Sequence, residues 1–297
     1  MFYCNWAMDT TITVKSVKSK LSSLAALLFS IILFTSLFPK EAGASDLQRI
    51  EETFPKWEIA ANGFALALDI YLTTLPEAVP SFGPPSPGSL DYKIMRNHVN
   101  LNHDHFNDLS NILVTSLTVA PPAVYLGNYL FPSLGIEAGG LKMLAFLEVC
   151  NFTALTTQSS KKLLGRERPD EGGTDAFISG HTSTAFSAAA FLSWDMSNLT
   201  ARLVSEDAPV ALQASARALP FAALYTTAGL VGYYRIAAEK HWFTDVAAGA
   251  ITGAFIGNFF YLLHFHEDGS PRRTVENVSL YPILEPDFRG IGLVWNF

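Results

Sequence analysis

Cysteine is almost missing from this chain: two residues in 297, Cys4 and Cys150. If the segment carrying Cys4 is a removable leader, one thiol remains and no internal disulfide can form, which excludes a disulfide-stapled scaffold. Charge is scarce too, at 16% of residues, and its balance is acidic, with a net charge of −7. Nucleic-acid-binding domains present a basic face, so no nucleic-acid partner is expected. Metal-ligand spacing is also lacking. His98, His103 and His105 lie near one another, yet no Cys or fourth close ligand completes a set, and residues 89–108 read as a solvated helix or loop. No internal repeat is apparent, which sets aside solenoid architectures.

What the chain has in quantity is apolar sequence, 49% of residues. Five stretches carry little or no charge: Leu109 to Ile136, Met143 to Ser160 (Glu148 excepted), Ala176 to Trp194, Ala218 to Tyr234 and Val246 to Phe265. Their length and their Ala, Leu, Phe and Gly content favour helices over strands. Several approach the roughly 20 residues that cross a bilayer. The expected fold is therefore all-α, an antiparallel helical bundle embedded in a membrane, with a soluble core as the alternative. Pro121-Pro122 should break or kink the first stretch.

The flanks divide into three parts. Lys15, Lys18 and Lys20 precede the apolar run Leu21 to Phe38, and Ala42-Gly43-Ala44 offers small residues before Ser45. Residues 1–44 thus read as a signal peptide or N-terminal anchor, and either would export the rest. Residues 45–108 hold a helix at Trp57 to Leu75 and a Pro/Gly-rich linker at Pro76 to Gly88. Residues 109–266 form the core. Residues 267–297 form a tail with two short strands, Asn277 to Leu284 and Gly290 to Phe297, around Glu285-Pro286-Asp287.

Chemistry is concentrated between Lys161 and Asp245, in three blocks: Lys161-x6-Arg168-Pro169, Ser179-Gly180-His181 and Arg235-x5-His241-x3-Asp245. Lys161, Arg168 and Arg235 are cations suited to a phosphoryl group, the arginines through forked donors. His241 can attack phosphorus, and Asp245, one turn further on, can accept from its other ring nitrogen. His181 can supply a proton as general acid. Ser179 and Gly180 precede it at an expected helix start, where backbone N–H groups and the helix dipole favour an anion. Lys161 ends one apolar stretch and His181 opens the next; Arg235 ends another and His241 precedes the last. Alternating antiparallel helices would bring all three blocks to one end of the bundle. Lys162, Arg166 and Glu167 read as surface charges, and Asp170, Glu171 and Asp175 as a solvated turn. The nearby aromatics Phe177, Phe186, Tyr233, Tyr234 and Trp242 read as packing, or as the lining of an acyl pocket.

These blocks resemble the type 2 phosphatidic acid phosphatase superfamily, which includes bacterial non-specific acid phosphatases and vanadium haloperoxidases. The resemblance spans about Leu109 to Phe265. It implies that Lys161, Arg168, Ser179, Gly180, His181, Arg235, His241 and Asp245 form a phosphate or vanadate site, with no cofactor and no metal. Two positions depart from the family pattern: Ile178 stands where proline is usual, and Tyr234 where serine often precedes the arginine. The short spacer between Pro169 and Ser179 resembles that of exported bacterial members and leaves little room for a lid. The implied activity is a metal-independent phosphatase of the bacterial envelope. It would act on phosphatidic acid, phosphatidylglycerol phosphate, lipid A or an isoprenoid phosphate through a phosphohistidine, with the site on the periplasmic side. The alternatives are a soluble periplasmic acid phosphatase, a vanadium-dependent haloperoxidase and a non-catalytic envelope protein.

Overall fold

The computed structural model describes residues 53–79, 81–97, 102–130, 136, 138–272, 278–285 and 288–295. The leader or anchor expected at residues 1–44, His98 and the turn at Pro286-Asp287 lie outside them. Seven helices are described: α1 Lys56–Thr74, α2 Leu90–Arg96, α3 His103–Leu130, α4 Gly139–Leu164, α5 Gly180–Arg202, α6 Val210–Ala237 and α7 Phe243–His264. A hairpin follows, β1 Val278–Glu285 antiparallel to β2 Phe288–Trp295, with Val278 opposite Trp295 and Glu285 opposite Phe288. The all-α expectation and the short C-terminal hairpin both hold.

Helix α5 is the axle of the bundle. It packs against α7 and α6 most extensively and also meets α3 and α4. A helix covered on every side must be apolar all round or satisfy its own polar groups. Ala185, Ala188, Ala189, Ala190 and Phe191 are fully or almost fully buried. The buried serines return their hydroxyls to the helix, Ser187 to Thr184 O at 3.0 Å and Ser193 to Ala189 O at 2.6 Å. On α7, Gly253 allows the closest approach: a Cβ there would sit 2.1 Å from Ser183 O. Only glycine lets the two backbones touch in this way, and the contact seats the first turn of α5 against the middle of α7.

Of the break or kink expected at Pro121-Pro122, the break does not occur, since both prolines lie inside the continuous α3. The pair removes two backbone donors from the ladder, but α3 is packed on α4, α5 and α6, and tertiary contact outweighs the local penalty. Helix α3 also begins earlier than the apolar texture suggested, so His103 and His105 are in its first turn. The segments His103–Asn128 and Phe243–His264 are long and apolar enough to cross a membrane, by length and composition.

The parity inferred from the sequence is seen directly. Helices α4 and α6 run toward one end of the bundle, and α3, α5 and α7 start there. The far end is tied by a buried ion pair. Lys142 Nζ lies 2.5 Å from Asp195 Oδ1, and the same carboxylate accepts from Tyr125 OH at 2.9 Å and Tyr261 OH at 2.8 Å.

Candidate active site

Three loops meet at the near end. The first leaves α4 through Gly165, whose φ of +44° turns the chain out of the helix. A Cβ at Gly165 would also stand 2.5 Å from Val79 O. The Pro/Gly-rich linker therefore packs directly on this loop: Ser81 N donates to Gly165 O at 2.9 Å, and Thr174 Oγ1 to Ala78 O at 2.8 Å. Lys161, from the last turn of α4, and Arg168, from the loop, point to a common anion, the carboxylate of Asp175. Arg168 reaches it with Nε at 2.6 Å and Nη2 at 2.9 Å, and Lys161 Nζ is 3.3 Å away. Against the upward push of burial, these donors hold the Asp175 carboxyl well below the usual range.

The second element is the start of α5. Ser179 occupies the N-cap position in extended conformation, and Gly180 is the first helical residue, as expected. The first amides of a helix have no intrahelical acceptor and remain available to an anion. His181 is half-buried, and its Nε2 lies 2.7 Å from Asn111 Oδ1 of α3. Burial, then Arg235, Lys161 and Arg168, bring its pKa down to about 3.

The third is the turn from α6 into α7. Arg235, 4% exposed, donates through Nη1 to Asn107 Oδ1 at 2.7 Å and Ser110 Oγ at 3.3 Å, while its buried Nε has no partner. His241 is 1% exposed, and its Nδ1 stands 2.7 Å from Ala176 O. A neutral imidazole in that position carries its proton on Nδ1, donates it to the carbonyl and leaves a lone pair on Nε2. Burial, then Arg235, Lys161 and Arg168, hold the His241 pKa well below the ordinary histidine value, so this neutral form is favoured. The same three cations thus surround both histidines.

Asp245 departs from its expected role. Its Oδ2 is 4.0 Å from His241 Nδ1, beyond hydrogen-bond distance, because the carboxylate is otherwise engaged. It accepts from Trp242 N at 2.8 Å, capping α7, and from Arg166 Nη1 at 2.5 Å. The orienting acceptor for the imidazole is the Ala176 carbonyl, which no side-chain pattern could reveal. Asp245 holds the turn that carries His241.

Arg166 is likewise corrected. Instead of a surface charge it is a half-hidden strut, 13% exposed at the side chain, whose Nη2 reaches Asp91 Oδ2 at 2.7 Å. Asp91, on α2, also accepts from Thr244 N and Oγ1 at 2.8 and 2.7 Å. The acidic turn is corrected as well: Asp175 pairs with Arg168 and Lys161, and Asp170 with Lys240 at 2.6 Å. Lys162 donates to Leu75 O at 2.7 Å and Pro76 O at 3.0 Å, so it fastens the linker. Tyr234, at one departure from the family pattern, packs its ring on Phe106 at 5.6 Å. Sequence reasoning missed Asn107, Ser110 and Asn111. Their signal was a polar face on an otherwise apolar helix, at spacings of three and four residues.

Beside His181 and Lys161 a cleft of about 500 Å³ opens between α3, α4 and α5. Val114, Val119 and Ala154 supply apolar wall, and Thr115, Thr157 and Gln158 supply polar groups.

Because Asp175 occupies the donors of Lys161 and Arg168, an incoming phosphate competes with it. Asp175→Asn should tighten competitive inhibition by inorganic phosphate roughly tenfold, by removing a like charge from a partly desolvated site. The inhibition constant at fixed pH and salt checks this, and weaker inhibition would assign Asp175 to positioning the cations instead.

Comparison with known proteins agrees with the geometry. The family model of the PAP2 superfamily matches residues 146–268, which contain all eight expected site positions. This part of the chain is a PAP2 superfamily domain. A PA-phosphatase related-family protein of Dictyostelium discoideum is 30% identical over 136 residues, 41% of this chain and 48% of that one. The lipid A 1-phosphatase of Porphyromonas gingivalis is 31% identical over 104 residues, 35% and 19% of the two chains. The probable lipid phosphate phosphatase 4 of Arabidopsis thaliana is 30% identical over 145 residues, 39% and 45%. The chain spans less than half the length of these relatives. No solved structure matches.

Proposed function

We propose that the protein is a lipid phosphate phosphatase that works through a phosphohistidine on His241. The observation that carries this is the enclosure of two neutral histidines by the same three cations, Lys161, Arg168 and Arg235. Such a site attracts a phosphoryl anion and is costly to build without one. The orphaned Nε–H of Arg235 gives a buried donor for one phosphoryl oxygen, and the first amides of α5 give others.

His241 Nε2 attacks phosphorus in line with the ester oxygen, forming the N–P bond as the P–O bond breaks. His181 relays the proton of the monoanionic ester to the leaving alkoxide, then takes one from the water that attacks the phosphohistidine and passes it to the departing phosphate, restoring both imidazoles. Lys161, Arg168 and Arg235 neutralise the charge on the equatorial oxygens. The cleft beside His181 receives the body of the leaving group. Its apolar wall and the two helices fit for a bilayer favour a lipid alcohol and a membrane setting. An exported site on the periplasmic face goes with that setting.

Substrate choice is tested by phosphate release from purified protein in EDTA. The panel comprises p-nitrophenyl phosphate, phosphatidic acid, phosphatidylglycerol phosphate, undecaprenyl pyrophosphate and lipid A. Preference for a lipid supports the proposal; preference for p-nitrophenyl phosphate assigns a broad acid phosphatase, and silence across the panel contradicts a phosphatase.

The pH profile has a definite sign. With its pKa near 3, His181 in the free enzyme is neutral at pH 5–7 and has no proton to give. The proton must arrive with the monoanionic ester, whose second ionisation lies at about 6. The kcat/KM for an alkyl phosphate such as glycerol phosphate should therefore be greatest on the acid side of about pH 6 and fall about tenfold per unit above it. A profile flat to pH 8 would contradict the neutral His181.

A further inference from the structure

The end of the bundle away from His241 holds a second cluster that phosphoryl transfer does not use. Glu58 lies in the first turn of α1, Glu148 in α4, and His264 is the last residue of α7. Nineteen residues of α7 separate His264 from Asp245, a rise of about 28 Å. All three side chains are hidden, at 4%, 2% and 0% exposure. His264 Nε2 is 2.7 Å from Glu148 Oε2 and 3.5 Å from Glu58 Oε1, and one donor atom from each residue lies within 4.8 Å of the others.

The three groups do not satisfy one another. Among the described residues, the cationic partner of both carboxylates is the single imidazole of His264. If both glutamates are ionised, two negative charges in a dry core face at most one positive charge. If Glu58 is protonated, its acid still lacks a full set of bonds, because Oε2 is buried with no partner. His264 Nδ1 is buried without a partner as well. Glu148 is already aimed: Asn62 Nδ2 donates to its Oε1, and Asn62 is held in turn by Asn151 Nδ2 at 3.3 Å. Such support of a carboxylate's second oxygen is common around bound metals. Two donors on a tetrahedral zinc stand about 3.3 Å apart, and the spacings on His264 bracket that value.

We propose that Glu58, Glu148 and His264 bind one divalent transition-metal ion of the zinc class, as a clamp joining α1 to α4 and α7. The nitrogen-plus-two-carboxylate set suits zinc with a fourth position left to water, and a ligand from each of three helices lets the ion tie those helices together. Glu58 and His264 are 206 residues apart in sequence, so the clamp closes a long loop. The ion takes no part in the phosphatase chemistry at the other end.

The test uses the full-length purified chain, stripped with a chelator and then titrated with zinc. The expected result is one zinc per chain by elemental analysis and a melting temperature raised by several degrees at a hundredfold excess over Kd. Glu58→Gln, which keeps the shape but loses the charged ligand, should abolish both effects while leaving phosphate release at 25 °C unchanged. Cobalt in place of zinc gives a visible d–d spectrum in the unmutated chain, so the proposal stays testable if the variant folds poorly. A stripped chain that takes up neither zinc nor cobalt, or a Glu58→Gln protein that binds zinc as tightly, would overturn it. Neither result depends on which phosphate ester the distant site hydrolyses.

Discussion

His241→Ala should lower kcat for phosphate release by at least about 10⁴-fold, in line with loss of a nucleophile from a unit of cooperating residues. KM should change much less, because Lys161, Arg168 and Arg235 hold the phosphoryl group whether or not the imidazole is present. Removing the ring also orphans the Ala176 carbonyl it now caps, at a cost of about 1–3 kcal/mol. The variant's melting temperature therefore needs measuring beside its rate, and a loss of activity in a folded protein is the informative result. His181→Ala offers the contrast. Its effect should be large on an alkyl phosphate and much smaller on p-nitrophenyl phosphate, whose leaving group needs little protonation. Loss of less than about tenfold in His241→Ala would remove this residue from the nucleophile's role.

The second large effect is on stability. Asp195→Ala should cost about 3–5 kcal/mol, because it leaves the Lys142 ammonium buried and unpaired. Lys142 is 1% exposed and Asp195 3%, and Tyr125 and Tyr261 would lose their acceptor in the same step. For a chain of this size that corresponds to a fall in melting temperature of roughly 6–20 °C. Replacing both partners, Lys142→Met with Asp195→Leu, should recover part of the loss, since no charge is then left in the core. Thermal unfolding of the three proteins in one buffer decides it. A single variant that melts within about 2 °C of the parent would mean that water reaches the pair.

The sequence announced some parts of the molecule far better than others. Lys161, Arg168, His181, Arg235 and His241 were legible because each is a charged or titratable residue beside an uncharged helix. Helix parity then predicted their convergence, and the structure brings them to one end. The Asp245 partnership was misjudged because an i,i+4 spacing offers proximity without saying which acceptor is nearer; Ala176 O, a backbone atom 65 residues away, takes the bond. Arg166 looked like one more charge in a basic run, since its partner Asp91 lies 75 residues upstream. Asp175 looked like a turn residue because nothing local indicates that its carboxylate rests on the cations. The prolines of α3 show the same limit from the other side: their local preference was legible, and the packing that overrides it was not. The Glu58–Glu148–His264 cluster left no motif at all, being assembled from three helices distant in sequence.

The most direct measurement of the central claim is a rapid-quench experiment with phosphorus-labelled p-nitrophenyl phosphate, stopped in alkaline detergent and followed by peptide mapping at alkaline pH. A good leaving group speeds formation of the covalent species, and label should appear within one turnover on the peptide containing His241, stable to base and labile to acid. It should be absent from His241→Ala. Turnover of labelled substrate with no protein-bound phosphate, or label on any other side chain, would contradict the phosphohistidine mechanism.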